Sequence, residues 1–252
     1  MKRVFLTILA SVVTSLSFCQ SQKSFILSYQ DKKGFFAVSA GGSLPLGRFA
    51  SCSVTDSKAG MAGQGLAVNA AIGYRIVGPV GLMVRGEQHQ NALQTHELID
   101  AASRANSTVW TAKADNWSIT TLMAGPYISI PMERFSLDAR LLVGQAMTRL
   151  PETAMSAKFG DVNMLVKTTG SPNAAVALGG GVSLRYRLGR CLSLHLSGDY
   201  THSQFTFDAV TSKSLSSYGT LQTSRFNCQR VMSVVSASAG LMVLFGNHYR
   251  PF

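Results

Sequence analysis

The sequence predicts an all-β fold: an eight-stranded antiparallel up-and-down transmembrane β-barrel, preceded by a signal-peptide helix. Three observations predict it. Apolar residues recur at every second position in eight segments, as strands with two different faces require. Short turns and long connections alternate strictly between those segments. Charged residues are 14% of the chain, where a soluble domain carries about 25%, although the hydrophobic content of 46% is ordinary.

At the start of the chain, Lys2 and Arg3 precede an apolar run from Val4 to Phe18, too short for a spanning helix of about 20 residues. Small residues at Ser15 and Ser17 complete the pattern of a secretory signal cut near Cys19 or Gln22. Leu16-Ser17-Phe18-Cys19 also approaches a lipoprotein cleavage box, in which Cys19 would carry lipid, but Phe18 stands where that box wants a small residue. We therefore expect a signal peptide over 1–22, a short lead over 23–33, the barrel over 34–245 and a tail over 246–252.

The alternating segments lie near 34–46, 65–77, 80–91, 116–131, 134–148, 173–188, 191–207 and 229–245. Gly78-Pro79, Met132-Glu133 and Gly189-Arg190 supply tight turns, whereas 47–64, 92–115, 149–172 and 208–228 are long loops. A short helix is expected over 96–104. All short turns then fall at one end of a meander that can close on itself. In the fourth segment Trp117 and Ile119 are out of phase with Leu122, Ala124, Ile128 and Ile130, which suggests a bulge near Thr120–Thr121.

Alternation alone does not say which face is inside. Residue size does: Ala37, Ser39, Gly41, Ser43, Ala67, Asn69, Ala71 and Gly73 share the non-apolar parity and suit the narrow lumen of an eight-stranded barrel. Arg75, Arg85, Glu87, Asp138, Arg140, Arg185, Arg187 and Asp199 fall on the same parity, with His89 and His195. An arginine in hydrocarbon would cost about 2–4 kcal/mol, so these side chains are expected to form a polar network inside a plugged lumen. Outward Phe36, Tyr74, Phe135, Tyr186 and Phe245 all fall at the short-turn end, as an interfacial girdle on the periplasmic side would. Trp117, Tyr200 and Phe205 form a looser set near the other rim.

With GFFAVSAGGSLPLGRFA as its opening strand and VMSVVSASAGLMVLF as its last, the chain resembles the small outer-membrane β-barrel proteins of the OmpA-like and OmpX-like group. It is especially similar to the outer membrane protein beta-barrel domain proteins of the Bacteroidetes. The resemblance covers 34–245 and implies a monomer in the cell outer membrane, termini in the periplasm, in contact with lipid and lipopolysaccharide and inserted by the barrel-insertion machinery. Val235, Ala237, Ala239, Leu241, Val243 and Phe245 resemble the terminal signal which that machinery reads, although GNHYRPF follows. Patterns of this kind imply an architecture and carry over no catalytic residues.

Little in the chain points to chemistry. His202 and Ser203 are adjacent and so point to opposite faces of a strand, which keeps a nucleophile and base apart. Gly179-Gly180-Gly181 reads as strand interior, because no helix follows it as a phosphate loop would require. The net charge of +11, or +9 without Lys2 and Arg3, is scattered, with no run of basic residues and interleaved aromatics to suit nucleic acid. Barrel closure brings the first and last strands together, so a Cys52–Cys228 disulfide is expected, with Cys191 at the opposite end. No catalytic, cofactor or metal residues are assigned. The reading is a non-enzymatic barrel acting through its loops on an unknown extracellular ligand; a narrow channel, an enzyme of outer-leaflet lipid and a soluble barrel rank behind it.

Overall fold

The computed structural model describes residues 32–247 except 107, 133 and 190. The expected signal peptide, nearly all of the lead and most of the tail lie outside the described residues. Among the described residues there are eleven strands: β1 (Lys32–Pro45), β2 (Ala62–Val77), β3 (Val80–Leu93), β4 (Trp110–Ala114), β5 (Trp117–Met132), β6 (Phe135–Arg149), β7 (Thr153–Phe159), β8 (Val162–Thr169), β9 (Pro172–Arg187), β10 (Leu192–Ser216) and β11 (Gly219–Asn247). A helix, α1 (His96–Asn106), precedes β4.

Eight of these strands close a ring in the order β1-β2-β3-β5-β6-β9-β10-β11, and β11 returns to pair antiparallel with β1 from Lys32↔Asn247 to Pro45↔Val234. Closure removes the sheet edges in that ring, which a bilayer demands because its core offers no water to unpaired backbone groups. Each tight turn is short: Val77 pairs with Val80, and Met132 with Phe135. At the first of these, Gly78 takes a φ of 52°, a left-handed conformation that glycine adopts without steric cost.

The wall inverts the pattern of a soluble protein. Leu66, Leu122, Leu141, Val176 and Val182 are 56–71% exposed, while Arg85, Glu87 and Asn91 are buried. Phe36, Tyr74, Phe135, Tyr186 and Phe245 lie on the outward parity at the short-turn end, and the Phe135 and Tyr186 rings meet at 5.0 Å between centroids. Toward the other end, outward residues turn polar: Gln88 Nε2 donates to Ser118 Oγ at 2.9 Å, and Thr120 Oγ1 donates to Gln88. The apolar belt lies between these two levels. A barrel with an apolar, exposed belt and a buried ionic interior is a transmembrane β-barrel of the outer-membrane type.

The fourth segment departs from expectation. β5 pairs without a register shift with both β3 and β6, so no bulge exists at Thr120–Thr121. Trp117 and Ile119 are inward, buried to 2% and 0% exposure. They looked out of phase because an inward position was assumed to be small or polar. Phe205 is inward for the same reason, which leaves Tyr200 as the outward member of the looser aromatic set.

Beyond the ring, the expected long loops are largely folded. β10 and β11 continue as a paired ribbon, β10 pairs with β8, β8 with β7, and β7 with β4. A register shift between Phe207 and Val210, with Ala209 at φ 57°, marks where β10 leaves the barrel. A bulge bends its strand and re-aims it; here it turns β10 into the outer sheet.

Candidate functional site

The lumen is built in three layers, and the inward residues of the ring strands supply most of them. At the short-turn end Phe35, Met83, Tyr127, Met242 and Leu244 are buried, and the Phe35 and Tyr127 rings meet edge to face at 5.4 Å. Glycine makes the room: a Cβ on Gly73 would come within 2.4 Å of the Phe35 ring, and one on Gly81 within 2.5 Å of Tyr127. The lumen is thus lined at this end by large apolar residues, for which inward-facing glycines leave space.

The middle layer is ionic. Asp199 accepts from Arg85 Nη2 at 2.7 Å on one oxygen and from Arg140 Nε at 2.7 Å on the other. Arg140 Nη1 donates to Ser183 Oγ at 3.0 Å, and Arg185 pairs with Asp138. Glu87 accepts from Ser236 Oγ at 3.1 Å and lies 3.5 Å from His89 Nε2. His89 continues through Ser43 (3.2 Å) to Asn91, and Ser39, Asn69, Ser197 and Ser238 form a second chain. Gly181 is required here, because a Cβ on it would fall 2.1 Å from Asp199 Oδ1.

Of the residues expected in the lumen, Arg85, Glu87, Asp138, Arg140, Arg185 and Asp199 are thus joined by ion pairs or hydrogen bonds. His195 is buried beside Arg85, Asp138 and Arg140. Arg187 is buried near the short turns, and Arg75 is half-buried at the rim, donating to the Lys32 carbonyl at 3.3 Å. The space left between Arg85, Asp138, Arg140 and His195 has room for about one water molecule.

The third layer was not anticipated. Phe49 from the first long loop folds over the loop end, 5.5 Å from the Trp117 ring, which in turn faces Phe207. Phe205 and Phe207 stack at 5.9 Å, and Trp117 Nε1 donates to the Gly60 carbonyl at 2.9 Å. All four rings are buried. The available signal was that Phe205 and Phe207 share one parity with His195 and Asp199, a parity already assigned to the lumen.

His202 and Ser203 do not meet. His202 is bonded through Nδ1 to Ser233 Oγ at 2.9 Å, while Ser203 is buried on the inward side against Met232. The expected Cys52–Cys228 bridge is not formed either, since both thiols are free. Loop position and the closure that makes the first and last strands neighbours bring the two segments near each other without fixing the side chains. Burial pushes the Cys52 thiol above its ordinary value, with Glu97 adding to it, and burial raises Cys228 against the pull of Arg230.

Outside the barrel the outer sheet carries α1 on one side. Trp110 is buried, its ring 6.0 Å from Phe159, and its backbone N–H donates to Ser103 Oγ of α1 at 3.4 Å.

The fold and its exposed belt define the class: an eight-stranded barrel of the outer-membrane type. Among solved structures the chain is similar to a major outer membrane protein from Thermus thermophilus, at 14% identity over 84% of this chain and 99% of that one, with a TM-score of 0.47. It is also similar to Neisserial surface protein A (13% identity, 84% and 97% coverage, TM-score 0.45) and to Ail, the attachment invasion locus protein of Yersinia pestis (13%, 83% and 99%, 0.41). No protein-family model matches the chain, and no curated protein does.

Proposed function

We propose that the protein is a monomeric, non-enzymatic outer-membrane barrel, its short turns and termini in the periplasm, that acts through the structure at its long-loop end. One observation carries this reading: β10 and β11 extend 25 and 29 residues and support a folded sheet beyond the belt, over a lumen closed by rings and ion pairs. A rigid scaffold presenting a folded element outside the bilayer suits adhesion, partner binding or envelope support. A channel is disfavoured by the filled middle layer, and an enzyme of the kind His202-Ser203 suggested is disfavoured by their opposite orientation.

The test combines three measurements. A tag in the β7–β8 turn at Gly160-Asp161 is reached by antibody on intact cells. The protein changes gel mobility on heating, and planar bilayers containing it show no steady conductance. A tag reached only after the outer membrane is opened would reverse the orientation, and steady single-channel current would reinstate the channel.

A further inference from the structure

Strand register places five cations of the outer sheet on one face. Residues directly opposite in an antiparallel ladder share a face, and so do residues two apart along a strand. Thr223 pairs with Lys213, Lys213 with Lys167, Lys167 with Ala154, and Ala154 with Lys113. Lys113, Lys167 and Lys213 therefore lie in one row across the sheet. Lys158 lies four residues from Ala154, and Arg225 two from Thr223, on the same face. All five are exposed.

Like charges directly opposite, as at Lys213 and Lys167, destabilise a sheet. Well-dispersed surfaces intersperse both signs of charge, and this row does not. Glu152, 3.4 Å from Lys167, and Asp115 sit at the barrel-side margin of the face and leave the excess positive. On the other face α1 and the Trp110–Phe159 contact cover the β4–β7 end, so there the basic face is the open one.

We infer that this face binds a sulfated polysaccharide, an inference that rests on the outward orientation of the long-loop end proposed above. Adjacent strands are about 4.8 Å apart, so the row from Lys213 to Lys113 spans about 15 Å with cations at one and three strand spacings. A flexible chain of repeating anions meets such a row without needing a groove. Between the cations the face offers hydroxyl and amide groups, Thr111, Ser156, Asn163, Thr169 and Thr223, matched to sugar hydroxyls and sulfate oxygens. Leu165 and Leu215, directly opposite each other, are the large apolar side chains among the described residues of this face, and no aromatic ring lies among the cations to stack a base, as single-stranded nucleic acid binding requires.

The probe is dextran sulfate, with neutral dextran, duplex DNA and lipopolysaccharide micelles beside it, applied to the full-length protein in detergent. Dextran sulfate is expected to bind and neutral dextran not to, with affinity falling as NaCl rises. K167Q/K213Q should weaken binding about tenfold, while R48Q/R104Q, which removes equal charge from off the face, leaves it unchanged. Heat-modifiability of each variant checks that the barrel remains folded. Equal weakening by both double variants, absence of binding, duplex DNA bound as tightly at the same salt, or retention by the micelles alone would each overturn the inference. A Gly160 tag reached on intact cells together with no dextran sulfate binding would sink this inference alone; a tag not reached would sink the underlying orientation.

Discussion

The lumen and the outer sheet hold the same kinds of charged residue under opposite conditions. Inside, Arg85 and Arg140 converge on Asp199 with almost no exposure; outside, Lys113, Lys158 and Lys213 stand in water. A buried charge must be paired because its desolvation costs several kcal/mol. An exposed one is free to remain without a partner, because water screens it and its pairing is worth little. The lumen charges therefore report on closure of the barrel, and the sheet charges on what approaches it.

The strongest way to break this contrast is Asp199→Ala. It leaves two buried guanidinium groups facing each other across the lumen and is expected to cost about 3–5 kcal/mol, read as a shift in the urea midpoint of heat-modifiability. Lys213→Ala on the outer sheet should leave that midpoint in place. Trp117→Ala removes the centre of the aromatic layer, at about 3 kcal/mol. It should still give no conductance in bilayer recordings, because the ionic layer beneath continues to fill the lumen; an open channel would place the whole seal in the rings.

Gly181→Ala sharpens the ionic layer more finely. Its Cβ would collide with Asp199 Oδ1, and displacing that carboxylate is expected to cost about 1–3 kcal/mol in the same titration. At the junction of the two regions, Ala209→Gly relieves a left-handed backbone and is expected to stabilise by about 1 kcal/mol or less. The smallest effect is chemical: Cys52 and Cys228 should both take up maleimide without prior reduction, slowly at neutral pH. Burial raises both thiols, so labelling should accelerate as pH rises above the ordinary thiol range, and mass mapping identifies the sites.

Much of the barrel was legible. The period of two located all eight ring strands to within a few residues over most of their ends, and α1 from His96 falls where HELIDAASR suggested. The ends of β10 and β11 were not legible, because alternation weakens where both faces of a strand meet water. β4, β7 and β8 are not legible for a similar reason: five to eight residues with small and polar side chains carry little periodic signal. Trp117 and Phe205 were misjudged because size was used to label the inside, and size fails where a neighbouring glycine or a folded loop makes room. The Cys52–Cys228 expectation rests on loop position and on closure between the first and last strands, which fix neither the separation of the two residues nor their side-chain direction.

By itself the amino-acid order determined which residues share a face, since that follows from the geometry of a single strand. It determined the apolar wall, the parity of Arg85, Glu87, Arg140 and Asp199, and the level of Phe36, Tyr74, Phe135, Tyr186 and Phe245. Only the tertiary structure decided who meets whom. Register between strands brings Asp199 of β10 to Arg85 of β3 and Arg140 of β6, and lays Lys213, Lys167 and Lys113 in one row. Periodicity is a local property of the chain, whereas register depends on turns, bulges and closure of the whole ring.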